Sequence, residues 1–144
     1  MDFTTLRNKN SLFDNGALKY KYQVPRKNLG CDTMLKLEIK INESLVEQEA
    51  KYSLSNIYQT LDKLFLDCDF NKTNLPDGTI CYSGKGKKYD YGNFGHLIIT
   101  LKTKEWFLPY LEKWLWYNSD EGANENDYTI EDVLYFYTKK ESVA

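Results

Sequence analysis

Between Leu35 and Ile41 every second side chain is aliphatic and every one between is charged: Leu35, Leu37, Ile39 and Ile41 against Lys36, Glu38 and Lys40. A period of two gathers the aliphatic groups on one face of an extended chain and scatters them around a helix. Such a strand needs a sheet, and the apolar face of that sheet needs a covering layer. Leu18-Lys19-Tyr20-Lys21-Tyr22-Gln23-Val24 alternates in the same way. With the turn-forming Pro25, Asn28 and Gly30 between them, the two runs read as an antiparallel hairpin with a long loop.

Further along the period changes. Leu54, Ile57, Tyr58, Leu61, Leu64 and Phe65 recur at helical spacing behind Ser53, whose hydroxyl suits an N-cap, and predict an amphipathic helix of about four turns. DCDFNKTNLPDG then reads as a surface loop. Thr79 to Ser83 and His96 to Lys102 read as strands, with GKGKKYDYGNFG as a glycine-rich basic hairpin tip between them. In KEWFLPYLEKWLWYN, Pro109 is tolerated only in a first helical turn, which predicts a short helix there and a strand over Trp114 to Asn118. Thr129, with Ile130, Val133, Leu134 and Tyr137 behind it, predicts a closing helix over 130–139. The sum is an α+β fold: an antiparallel sheet of four or five strands with helices packed on one side, in a single domain spanning 1–144.

Composition supports a folded domain, since 42% hydrophobic and 28% charged residues are close to globular averages. No run approaches the roughly 18 apolar residues of a membrane span, and MDFTTLRNKN lacks the apolar core of a secretory signal. Cys31, Cys68 and Cys81 are widely spaced and odd in number, as reduced thiols in a cytoplasmic protein would be. A cytoplasmic location and no membrane partner are therefore expected.

Several constellations approach a known chemistry and stop short of it. Asp67, Asp69, Asn71 and Thr73 place oxygens at alternate positions of a calcium loop, but Lys72 stands where that loop needs glycine and Gly78 where it needs a closing glutamate. Gly84-Lys85-Gly86-Lys87-Lys88 has the residue types of a phosphate cradle without its frame. Its lysines beside Tyr89 and Tyr91 better fit a small nucleic-acid-binding module, with Lys85, Lys87, Lys88, Tyr89 and Tyr91 as contacts. The acidic C-terminal third opposes a long polyanion and argues against nucleic acid as the partner. One histidine, His96, reads as a partly buried structural imidazole on a strand. No metal site, cofactor, small-molecule substrate or catalytic constellation is expected.

The charge is uneven. Residues 1–40 carry eight basic side chains against four acidic ones, whereas residues 105–134 carry eight acidic side chains against Lys113 alone. Within that acidic stretch the rings from Trp106 to Tyr128 surround the segment SDEGANEND. One reading is a core of rings and a solvated acidic loop. The other is an interface in which Trp116 and Tyr117 anchor a partner while Asp120, Glu121, Glu125 and Asp127 steer a basic surface toward it.

The C-terminal half, around YGNFG, WYNSD and EDVLYFY over residues 89–138, resembles small bacterial immunity proteins of the contact-dependent growth inhibition type. That resemblance implies a cytoplasmic, non-catalytic protein that binds a cognate toxin as a heterodimer and covers its active site, often that of a nuclease with a basic cleft. The acidic, aromatic-rich segment is compatible with such a role.

Overall fold

The computed structural model describes residues 18–23, 34–119 and 127–143. Six strands, β1 (Leu18–Gln23), β2 (Leu35–Ile41), β3 (Asn71–Asn74), β4 (Ile80–Ser83), β5 (Leu111–Asn118) and β6 (Asp127–Asp132), form one sheet. Their order is β1-β6-β5-β2-β4-β3, with every neighbouring pair antiparallel. Helices α1 (Glu43–Glu49), α2 (Leu54–Leu66), α3 (Asp90–Leu101) and α4 (Val133–Thr138) and a 3-10 turn at Leu108–Tyr110 complete the described elements. The fold is α+β. Val46 of α1, Leu61 of α2, Leu97 of α3 and Leu134 of α4 bury into one cluster with the inner row of the sheet.

The alternation in β2 determines that inner row. Leu37 is registered against Trp116 on one side and Tyr82 on the other, and Ile39 against Trp114 and Ile80. The helices cover these rings. Phe65 of α2 stacks on Tyr82 with centroids 4.1 Å apart, and Phe70 stacks on Phe94 of α3 at 4.0 Å. Ser53 caps α2 as its hydroxyl suggests, accepting the Asn56 amide at 3.3 Å.

Four local readings are corrected. β1 and β2 do not pair: β1 lies outside β6, because β5 and β6 form the hairpin that separates it from β2. Residues 96–102 are not a strand, since Phe94, Leu97, Ile98 and Leu101 face the core as the buried stripe of α3. The closing helix is shorter than 130–139. Tyr128 to Asp132 extend β6, and Asp132 rather than Thr129 is the cap, accepting the Tyr135 amide at 3.2 Å. Finally, DCDFNKTNLPDG contains β3, which pairs with β4 and brings the sheet to six strands.

β6 engages β5 only from Leu115 onward. The preceding edge of β5 is occupied by the chain beyond α4: Trp114 N–H donates to Ser142 Oγ at 3.0 Å, and Val143 N–H donates to the Glu112 carbonyl at 2.9 Å. Asp132 holds this return, accepting the Ser142 amide at 2.9 Å and its hydroxyl at 2.6 Å. Among the described residues no helix is long and apolar enough to cross a membrane.

Candidate protein-binding end of the sheet

Antiparallel pairing places strand ends together, and one end of this sheet collects most of the charged sequence features. Gln23 pairs with Asp127, Leu35 with Asn118, and Lys36 with both Tyr117 and Ser83, while Asn71 pairs with Ser83. The β5–β6 connection that carries Asp120, Glu121 and Glu125 therefore leaves from the same end as the lysine loop after β4. Those three carboxylates lie outside the described residues, and Asp127 is placed as the first residue of β6. β4 and β5 flank β2, so the two connections start about 10 Å apart at the usual strand spacing. That is about one Debye length at physiological salt, close enough for each to feel the other's charge.

The base of the acidic connection is firmly held. Asn118, Ser119 and Tyr128 are buried. Ser119 Oγ accepts the Met34 amide at 2.7 Å, and the Ser119 amide donates to the Met34 carbonyl at 3.1 Å. On the sheet face away from the helices, Tyr117 meets Tyr128 edge to face at 5.5 Å, with the Lys36 ammonium 4.7 and 4.8 Å from the two ring centres. The Tyr117 hydroxyl donates to Glu38 at 3.1 Å. Tyr117 is thus a half-buried ring at the foot of the connection.

Trp116 is corrected as a surface anchor. The pleat turns it to the opposite face from Tyr117, where it is fully buried against Phe94 at 5.1 Å and Tyr91 at 6.2 Å. The sequence carries the clue, because Trp116 falls in the same alternation as Trp114.

The lysine loop is bound up internally. Lys85 Nζ donates to Asp69 Oδ1 at 2.7 Å and Lys87 Nζ donates to Asp69 Oδ2. These ammonium groups hold the Asp69 carboxyl well below its ordinary value, at about 2. The Lys85 and Lys87 amides donate to one oxygen of buried Asp90, at 2.9 and 3.0 Å, so the protein's own carboxylate fills the cradle an anion would use. Lys88 lies 5.1 Å from the ring centre of exposed Tyr89, whereas Tyr91 turns inward to Trp116. With Lys85 and Lys87 countered by Asp69, the loop opposes the neighbouring acidic connection far less than its composition suggests.

Among the described residues, the side chains of the motifs that approach a known chemistry are apart or already engaged. The oxygens of the calcium-like motif are parted: Asp67 closes α2, Asp69 holds two lysines, and Asn71 and Thr73 lie on β3. Among the described residues no three His, Cys, Asp or Glu side chains gather as a metal ion would require. His96 is corrected from a partly buried strand residue to an exposed residue of α3. Burial raises the Cys81 thiol to about 11 and also raises Cys68. The Tyr82 hydroxyl is raised by burial and by its 2.8 Å bond to Asp62, whose other oxygen accepts from Lys72 at 2.8 Å. Comparison of the chain with protein-family models, with curated proteins and with solved structures finds no match, so the functional reading rests on the residues themselves.

Proposed function

We propose that the protein is a non-catalytic immunity protein: a cytoplasmic inhibitor that binds a cognate bacterial toxin whose active-site cleft is basic. The observation that carries this reading is the bracing of the two strand ends, at Ser119 and Tyr128, between which the acidic β5–β6 connection runs. Its carboxylates are borne between buried strand ends, on a base clamped by Met34, Ser119, Tyr117 and Tyr128. A connection fixed at both ends loses less conformational entropy on docking than a free tail, and a single-sign surface accelerates encounter with a partner of opposite sign. The resemblance over residues 89–138 supports the same role. Asp69 offsets part of the positive charge of Lys85 and Lys87, which weakens the pull of this loop on a phosphate backbone and favours a protein partner over nucleic acid.

The test begins with purification of the tagged protein from its native host at low and high salt. A stoichiometric basic protein that leaves as salt rises is the expected companion. Replacement of Asp120, Glu121, Glu125 and Asp127 by Asn or Gln should then slow its association tenfold or more at low salt and flatten the salt dependence. An unchanged association rate would remove the acidic connection from the interface.

A further inference from the structure

Two clefts on the described surface differ in what their polar groups are doing. One, of about 230 Å³, is lined by Lys40, Glu43, Tyr58, Asp77 and Glu112 among others. The Tyr58 hydroxyl donates to Glu43, Lys40 pairs with Glu112 at 3.5 Å, and Asp77 accepts the Thr79 amide at 2.9 Å. Its charged groups already answer one another.

The other cleft, of about 240 Å³, lies between the start of α2 and the turn after α3. Buried Ile57 forms its base, half-buried Tyr52 and Trp106 its sides, and exposed Lys51, Asn56 and Thr60 its rim. Asn56 and Thr60 stand one helical turn apart on the same face of α2. Among the described residues the side chains of Lys51, Asn56 and Thr60 have no hydrogen-bond or ion-pair partner.

The rings, by contrast, are held in place. Tyr52 meets buried Tyr110 edge to face at 5.9 Å, and Tyr110 is itself fixed by donating to Glu49 at 2.6 Å. Trp106 meets buried Phe107 in the same way at 5.9 Å. A ligand entering the cleft finds two positioned aromatic groups and three polar side chains free to bond it, the mixture of apolar wall and few polar groups that small-molecule sites use.

Charge narrows the ligand. No carboxylate lines this cleft, which leaves a metal ion or an amine without a counter-charge. The surroundings do not select an anion either, because Glu49 closely precedes Lys51 and Glu105 lies between Lys104 and Trp106. What remains is a neutral ring with an apolar face and polar groups at its edge. Asn56 and Thr60 both donate and accept, as a sugar hydroxyl does, and Lys51 donates. The C–H face of a pyranose packs on an aromatic ring, and the volume suits a single such ring.

We propose that the cleft binds one pyranose ring of a neutral carbohydrate, held between Tyr52 and Trp106 with its hydroxyls on Lys51, Asn56 and Thr60. The site lies toward the Ile41 end of β2, about 20 Å along the strand from the Leu35 end where the acidic connection leaves, so it stands or falls independently of the toxin-binding reading.

The experiment follows the amide and indole N–H resonances of the isotope-labelled full chain during separate titrations with glucose, galactose and N-acetylglucosamine, with benzoate and adenosine as ring compounds of other chemistry. The expected result is that at least one sugar saturably shifts the Trp106 indole and the Asn56 and Thr60 amides, with a Kd of about 1–10 mM, ordinary for one small neutral ring. Trp106→Ala should weaken that binding tenfold or more. Asn56→Ala, at an exposed helical position where alanine is the better helix former, should weaken it severalfold without lowering Tm. Absence of saturable shifts with all three sugars, shifts confined to other elements, or undiminished binding by both variants would overturn the proposal. So would benzoate or adenosine binding at the same resonances more tightly than any of the sugars.

Discussion

Asp90 shows how much one side chain can organise. Its carboxylate accepts two loop amides, and Gly84 exists to make room for it, since a Cβ there would lie 2.6 Å from Asp90 Oδ2. Asp90→Ala strands both amides and should cost about 1–3 kcal/mol in urea unfolding. Gly84→Ala should also destabilise, by about 1–3 kcal/mol, because the carboxylate it crowds is fixed by those amides and cannot swing away freely. Asp69 supplies a pH signature. Its folded value of about 2 lies below the ordinary 3.8, so its contribution is fully present above pH 4 and is lost as pH falls toward 2. Asp77, held to about 2 by the Thr79 amide and hydroxyl, acts in the same window and direction. Asp69→Asn keeps the left-handed backbone that Asn tolerates, and the urea midpoint of this variant should fall less between pH 4 and pH 2 than that of the parent. Thiol titration provides another check: Cys81, raised to about 11 by burial, should stay unlabelled at pH 8 in native protein and react once urea unfolds it.

At the scale of elements, two caps of the same kind should differ in consequence. Ser53 caps α2 at the surface with one 3.3 Å bond, and Ser53→Ala should cost about 1 kcal/mol. Asp132 is buried and serves the Tyr135 amide and both the amide and hydroxyl of Ser142, so Asp132→Ala should cost about 3 kcal/mol or more by thermal unfolding. Equal losses would show that Ser142 contributes nothing. The elements legible in the sequence are those whose apolar period has one interpretation. β1, β2 and β4 alternate or are short and apolar, and α2 has both its stripe and its cap. α3 differs from the strand its sequence suggests because Leu97, Ile98, Ile99 and Thr100 are residues that strands accept readily, and because Gly92 and Gly95 mimic a turn. The Phe94, Leu97, Ile98, Leu101 spacing was nevertheless present, and Ile98, a fault in the strand reading, is required by the helical one. β6 was hidden by Thr129, a plausible cap that instead pairs with Asn118 and Lys21. At the candidate site, Trp116 could be assigned to the core from its register with Trp114, whereas the tie between Asp69 and two distant lysines has no sequence signal.

The whole molecule is a sheet whose local hairpins, β3–β4 and β5–β6, are joined through distant partners. β2 sits between β4 and β5, and β1 pairs with β6. Nothing in a hydrophobic pattern specifies such an order, because β1 and β2 would satisfy their alternation equally well beside each other. Removal of residues 1–23 should uncover the outer edge of β6 from Tyr128 to Asp132 and promote concentration-dependent self-association, measurable by light scattering. A variant that stays monomeric throughout would mean that this edge is covered by other means.

The strand order also bears on how the protein is made. Leu18 leaves the ribosome long before Asp132, its register partner, has been translated, and the Trp114 amide waits for Ser142. A nascent chain therefore carries an alternating strand with an unanswered hydrogen-bonding edge through most of its synthesis. Without Ser142 and Val143 the Trp114 amide, the Glu112 carbonyl and the Asp132 carboxylate would all lose partners, so these two residues close an edge that no strand pairs.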